Sequence, residues 1–386
     1  MVSHRNRGRP RRGEPPEASD RRIRRFRESG GRGKLVFIFG GLVLVVIAGL
    51  VLGGWYKFYY APPRVNAAFI NDTRFNQGDL VKRVRMIQAA QNYPGDTPIN
   101  ITDILRVLYN PDLDVNAGPF TLGMVQMELL KQGAPEYGVT VTEEEIDRHI
   151  RATFTPEVPQ GQEATEEQIE REFQERYTSY LNLNRISDAD HRRLTEENFY
   201  FMEMLQALGA NVASEADQVE VSWVRVPERR DATLEDPGKW QDWKGIRQRL
   251  QEEDFAEVAQ EFSIVFRWAN PDGYVGWVPK GAFPDLDLAL FGGSGVDPLA
   301  PGEISEPILF SGYMYFIRVE GDIEVKEVSA KWAQRMEAVA LETWLLDRFE
   351  QGTAEGWVGV KYDSGIYAWT ANQLRQTAGQ RRGGEG

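Results

Sequence analysis

From Leu35 to Tyr56 the chain holds no charged residue, in the run LVFIFGGLVLVVIAGLVLGGWY between Lys34 and Lys57. A run of this length can cross a hydrocarbon core about 30 Å thick as a helix rising about 1.5 Å per residue. Residues 1–34 hold twelve Arg/Lys against four Asp/Glu. That bias beside the apolar run places the arm in the cytoplasm and the rest of the chain outside it. Trp55, Tyr56, Tyr59 and Tyr60 cluster at the far end, where amphipathic rings favour the membrane interface. A cleaved signal peptide is the rival reading. Its apolar region would span only about 7–15 residues and end at an A-x-A-like site, and this run is longer and lacks that site. The expectation is a single-pass cell-membrane protein anchored by residues 35–56, N-terminus cytoplasmic and body extracytoplasmic. Gly49 and Gly53 form a G-x-x-x-G spacing that permits close helix pairing and a weak homodimer, although glycine is common in membrane helices for other reasons.

The arm, residues 1–34, is rich in Arg, Gly, Pro and Glu and is expected to be disordered. Beside a membrane helix its cations meet anionic headgroups, so no nucleic-acid partner is expected. The whole chain has a net charge of −13, so with the arm at +8 the remainder carries −21. Cysteine is absent, which excludes disulfides, Cys-zinc sites and thiol nucleophiles. Asp112, Asp114 and Asn116 begin like a calcium loop, but Ala117 and Gly123 stand where the turn Gly and the bidentate Glu would be needed. A solvated turn is expected there, and neither a metal nor a cofactor.

Residues 62–215 read as mainly helical. Asn71-Asp72 marks a turn between two short apolar pieces, and Gln77–Ala90 has helical spacing through Leu80, Val84 and Ile87. Leu122, Val125, Leu129 and Leu130 share a face, Gly138 stops that segment, and Thr142 followed by Glu145 caps the next helix. Residues 156–167 form a Pro/Gln/Glu-rich break. Two further helices are predicted, over Glu166–Asn184 (stripe Ile169, Phe173, Tyr177, Tyr180, Leu181) and Thr195–Leu208 (Phe199, Met202, Leu205). These stripes suit a core, and equally a cradle for unfolded chains, because Met and aromatics adapt to varied apolar surfaces.

Residues 216–322 change character. Gln218–Val226 alternates as a strand, residues 236–253 predict an amphipathic helix with Trp240, Trp243, Ile246 and Leu250, and Phe255, Val258, Ala259 and Phe262 continue a helical face. Pro301-Gly302 suits the centre of a type II turn, and Ser311–Val319 alternates as a closing strand. A helical pattern returns over residues 324–351 through Val325, Val328, Trp332, Val339 and Leu346. Residues 352–386 are expected to be a tail, disordered after Gln373.

The sequence DFAEVAQEFS, then GYVGWVPKGAFPDLDLALF, then LAPGEISEPILFSGYMYFIRV resembles the core of a parvulin-type (PpiC-like) peptidyl-prolyl isomerase. Residues 64–82 and 124–150 resemble the N-terminal chaperone region of PrsA/SurA-type anchored foldases. The resemblance implies an α+β chain: one transmembrane helix, a helical SurA/PrsA-like chaperone domain, and an inserted parvulin-like α/β domain. It also implies that the helix of 324–351 packs back on the chaperone helices. The clients it implies are unfolded or nascent exported polypeptides.

The family's prolyl-pocket region falls on Val275, Phe283, Leu286 and Phe291. Its polar groups are replaced. Trp223 stands where the family has a His on the first strand, Val265 stands near its Asp or Cys, and its second His aligns with Met314, or with Tyr315 on a one-residue slip. The chain's histidines are His4, His149 and His191, all outside this region. No catalytic residue is therefore assigned. A foldase/chaperone with weak or lost isomerase activity is expected. The rivals are an isomerase working through Ser222, Ser311 or Tyr315, and a non-enzymatic adaptor for one partner.

Overall fold

The computed structural model describes residues 19–90, 100–157, 165–184, 186–228, 243–264, 267–310, 312–361 and 364–382. The chain divides into two compact units, Met1–Arg64 and Val65–Gly386.

In the first unit, α1 (Ser19–Trp55) runs into one π-helical turn, Tyr56–Tyr60. The 24 residues Phe37–Tyr60 are long and apolar enough to cross a membrane, and their large apolar side chains face outward. The helix starts sixteen residues before Leu35, within the arm expected to be disordered. Ser19-Asp20 is a helix-start signal, and Arg-rich sequence propagates from an existing helix without a second costly nucleus. Residues 1–18 lie outside the described residues.

The second unit opens with β1 (Asn66–Ile70) and β2 (Thr73–Asn76), joined by the predicted turn, where Asn71 takes φ 49°. Six helices follow: α2 (Gln77–Ala90), α3 (Ile101–Leu108), α4 (Met124–Gly133), α5 (Glu143–Phe154), α6 (Glu166–Asn184) and α7 (Asp188–Gly209). The Thr142 hydroxyl accepts from the Glu145 N–H while the Glu145 carboxylate accepts from the Thr142 N–H, so the predicted capping box opens α5. Asp112 and Asp114 serve local structure. The first pairs with Arg106 at 3.0 Å, and the second caps a 3₁₀ turn at Val115–Ala117.

A second sheet begins with β3 (Glu215–Pro227) and is built up through α8 (Trp243–Glu252), α9 (Phe255–Phe262), β4 (Tyr274–Pro279), α10 (Pro284–Phe291), β5 (Ile308–Phe310), β6 (Tyr313–Val319) and β7 (Glu324–Glu327). Its strand order is β4-β3-β6-β5, with β7 on the early part of β3. Gly302, at φ 84°, sits in the predicted turn, and Glu303 N–H donates to Ala300 O at 2.9 Å. The helix expected from residue 236 is described only from Trp243, so Trp240 lies outside the described residues. Residues 324–327 are a strand rather than the start of a helix. Ala216, Asp217 and Gln218 pair with Lys326, Val325 and Glu324, and the Gln218 side chain donates to Lys326 O and Glu327 O at 3.0 Å each. An open strand edge captured this segment, which local periodicity had left helical.

α11 (Ala330–Glu355) then packs against α7 and α4. Gly133 of α4 permits the approach, since a Cβ there would lie 2.5 Å from the Trp344 ring. The expected tail is structured as far as described. β8 (Val358–Val360) pairs with β1, and α12 (Ser364–Arg382) packs on α2 and α3, burying Tyr367, Thr370, Ala371 and Leu374. Those four positions follow the i, i+3, i+4, i+7 spacing of a helix face.

The largest core draws on residues 67–204 and again on 338–374, with no buried member from 215–328. The intervening segment has its own two cores, one on each face of the second sheet. Val219, Val221, Trp223, Tyr315, Ile317 and Val319 occupy one face with Phe283, Leu286 and Trp332. Val224, Val226, Met314 and Phe316 occupy the other with α8 and α9.

Candidate functional site

Period-two alternation decides what the second sheet can present. Trp223 pairs across the ladder with Ile317, and Arg225 with Tyr315. Trp223, Arg225 and Tyr315 therefore share a face, while Met314, opposite Val226, points to the other. Of the two residues considered for the second His position, Tyr315 shares a face with Trp223 and Met314 does not.

Trp223 is 2% exposed and makes edge-on contacts with the rings of Phe283 (5.5 Å, 86°) and Tyr315 (5.6 Å, 87°). Phe283 is the hub of the cluster. Trp268, Phe310 and Trp332 also meet it edge-on, at 6.0, 6.3 and 5.7 Å. Edge-to-face contacts suit the ring quadrupoles and hold each ring at a fixed angle. The indole of Trp223 is thus packed within this aromatic layer rather than open to solvent.

Above this layer lies a cavity of about 500 Å³. Phe283, Phe310, Tyr315, Trp268 and Arg225 form its sheet-side wall, and the segment Tyr109–Asp114 with Arg335, Val339, Glu342 and Leu346 of α11 forms the other. Of the eight candidate positions, four in the prolyl-pocket region and four at or near the replaced polar groups, Phe283 and Tyr315 line the cavity and Trp223 contacts both. Leu286 is wholly buried beneath, and Val275 and Phe291 are half-buried against the same core. Val265 and Ser311 lie outside the described residues. Ser222 is buried with its hydroxyl donating to Glu320 at 2.6 Å. It sits on the face away from Tyr315, because it is one residue out of phase with Trp223.

The polar groups of the cavity are held in place. The Arg225 guanidinium stacks on the Tyr313 ring at 3.5 Å and bonds the Tyr315 hydroxyl. Burial pushes the Tyr315 hydroxyl above the ordinary phenol range, against the pull of Arg225, so at neutral pH it stays a protonated hydroxyl. Arg335 donates from Nε to Ala282 O at 3.0 Å and from one terminal nitrogen to both Glu342 oxygens at 3.1 Å. Glu342 also accepts from Val115 N–H at 3.1 Å. Burial raises the Glu342 carboxyl above its usual range despite the facing Arg335.

Arg225, Trp268, Phe310, Arg335 and Glu342 escaped the sequence reading. A signal existed for Arg225, which falls two residues after Trp223 in an alternating strand. Arg335 and Glu342 interrupt the α11 stripe between Trp332 and Leu346, one and two turns from their neighbours, and only a buried polar contact explains them there. His191 is elsewhere, packed among Phe154, Tyr177 and Tyr180.

No family model matches the chain, and no curated protein matches it. Among solved structures the chain is similar to peptidylprolyl isomerase PrsA of Bacillus anthracis, at 15% identity over 62% of this chain and 98% of that one, with a TM-score of 0.35. The foldase PrsA of Streptococcus pneumoniae matches at 11% identity over 80% and 91% of the two chains, TM-score 0.27. A SurA-like chaperone structure from Campylobacter jejuni matches at 16% identity over 58% and 97%, TM-score 0.22. At those identities and scores, function has to be read from this chain's own side chains.

Proposed function

We propose that this protein is a membrane-anchored, extracytoplasmic foldase of the parvulin class that works chiefly as a chaperone for unfolded exported chains. Residues 216–322 act as the parvulin-like domain, inserted into a helical chaperone domain made of residues 62–215 and the later helix. Residues 35–56 serve as the anchor, with the N-terminus cytoplasmic.

The observation that carries the reading is the packed aromatic floor. X–Pro rotation requires breaking amide resonance, with a barrier of about 18–20 kcal/mol. A catalyst lowers it only through contacts stronger to the twisted amide than to the planar one. Here Trp223 is packed within the aromatic layer, and its indole N–H is only a donor. What remains is an apolar bed of Phe283, Phe310 and Tyr315 inside a cavity large enough for side chains of a client. Such a bed binds exposed apolar side chains of many sequences, as a chaperone needs.

A second reading has one observation in its favour. Tyr315 and Arg225 place a phenol and a guanidinium in the same cavity, and these donors would polarise a bound prolyl carbonyl. One pair of assays separates the two on the full-length protein in detergent. Suppression of aggregation of unrelated unfolded clients, with proline-peptide isomerisation near the uncatalysed rate, supports the chaperone reading. Efficient isomerisation abolished by Tyr315→Phe refutes it. Digestion of residues 62–386 by protease added to spheroplasts tests the topology, and recovery of the body in the cytosol would overturn it.

A further inference from the structure

We propose that the cavity takes an extended polypeptide segment carrying a large apolar side chain next to lysine or arginine, added as a strand along β5. This rests on the chaperone reading and narrows its client chemistry.

The edge comes first. β5 ends the strand order β4-β3-β6-β5, so among the described residues one side of Ile308–Phe310 pairs with no strand. Unpaired strand edges template further strands, and an added strand sends alternate side chains into whatever pockets adjoin the sheet. Phe310 of this same edge strand lines the cavity beside Phe283 and Tyr315. A chain paired with β5 therefore delivers a side chain to the aromatic bed.

Leu346 on α11 lines the cavity and is 51% exposed, while Leu309, paired with Met314, turns its side chain to the other face of the sheet. An apolar side chain left in water on the wall of this cavity offers burial to an apolar occupant, worth about 25 cal/mol per Å² covered.

Charge then selects among occupants. The lining contains four carboxylates (Asp112, Asp114, Asp285, Glu342) and two guanidiniums (Arg225, Arg335). Glu342 and Arg335 neutralise each other. Asp112 and Asp114 face Arg106 and Arg267 at 3.0 and 3.7 Å across half-exposed pairs, which water screens. Asp285 is exposed at the start of α10. Counting Arg106, Arg267, Arg225 and Arg335, the four carboxylates are balanced locally, so the selection falls to the wider field. These groups lie in the field of a region, residues 35–386, whose net charge is −21, given −13 for the chain and +8 for the arm. That field draws cationic segments and repels acidic ones. It equally disfavours a second copy of this acidic body as the occupant.

The test uses the full-length protein in detergent and fluorescein-labelled decapeptides with one Phe-containing apolar core, read by anisotropy. One peptide is flanked by Lys and one by Glu. Two more are Lys-flanked and N-methylated on alternate residues, in either register. The Lys-flanked peptide is expected to bind about tenfold or more tightly than the Glu-flanked one at low salt, with the gap closing at high salt. At least one methylated peptide is expected to lose about tenfold, because it cannot complete the ladder. Leu346→Ser, an exposed change, is expected to weaken the Lys-flanked peptide, and Asp285→Lys to shrink the Lys-over-Glu preference. Equal binding of Lys- and Glu-flanked peptides, or undiminished binding of both methylated peptides, overturns this inference while client aggregation is still suppressed. Loss of both peptide binding and aggregation suppression overturns the chaperone reading beneath it.

Discussion

Removing one partner of the Arg335–Glu342 pair should cost more than removing both. The pair is desolvated: the two side chains are 9% and 19% exposed. Arg335 gives hydrogen bonds to both Glu342 oxygens and to Ala282 O, and Glu342 receives a further one from Val115 N–H. Arg335→Met leaves a carboxylate and the Ala282 carbonyl without their cation in a buried place. Breaking a buried pair in this way costs about 3–5 kcal/mol. Glu342→Leu strands the guanidinium and also the Val115 N–H, so a loss in the same range of about 3–5 kcal/mol is expected. The double variant Arg335→Met/Glu342→Leu removes both charges and fills the space with apolar atoms, an exchange that is often neutral or stabilising by about 1–4 kcal/mol. Two orphaned backbone groups, Ala282 O and Val115 N–H, oppose that gain at about 1–3 kcal/mol each, about 2–6 kcal/mol together. At mid-range values, about 2 kcal/mol gained and about 4 kcal/mol lost, the double lies about 2 kcal/mol below wild type, and singles that together cost about 8 kcal/mol then give a coupling of about 6 kcal/mol in the cycle. Urea unfolding of the full-length protein, followed by tryptophan fluorescence, reads this directly, since Trp268 and Trp332 stack at 5.0 Å beside Phe283. Single variants costing under about 1 kcal/mol each, with additive effects, would place the pair among solvent-screened surface bridges and refute the reasoning.

Three further outcomes follow from the packing. Leu286→Asp should unfold the second sheet rather than only weaken peptide binding, because Leu286 is 0% exposed beneath the cavity; loss of near-UV circular dichroism checks it, and a folded variant with weaker binding would count against the packing described. Gly359→Ala should release β8 from β1 at a cost of about 1–3 kcal/mol, since its Cβ would fall 2.3 Å from the Phe69 ring; hydrogen exchange at Asn71, whose N–H donates to Trp357 O just before β8, reports it. His191 should lose stability-linked protection as pH falls below about 6.5. Burial among Phe154, Tyr177 and Tyr180 lowers its pKa, with His149 and Arg192 acting in the same sense and Asp188 opposing. Its stability contribution is thus present above the unfolded pKa and lost on acidification, and His191→Phe should flatten the pH dependence seen by exchange in α6 and α7.

Local chemistry made much of this protein legible in its sequence. The apolar run needs no partner to be recognised, because the requirement to span a hydrocarbon layer is met by consecutive residues alone. The Asn71-Asp72 turn, the Thr142–Glu145 capping box, the Gly302 turn and the alternation of β3 are likewise set by neighbours within four positions, and each is found where it was expected. Tertiary structure decided the rest. Val325 became strand because the start of β3 offered an edge, and residues 358–374 became sheet and helix because β1, α2 and α3 offered surface. Whether Met314 or Tyr315 faces Trp223 depends on a one-residue register that only the β3–β6 ladder sets. The cavity itself joins Val115 to Glu342, 227 positions apart. Local periodicity carries no information about such a contact, because it exists only once the two core-forming segments on either side of the inserted sheet have closed on each other.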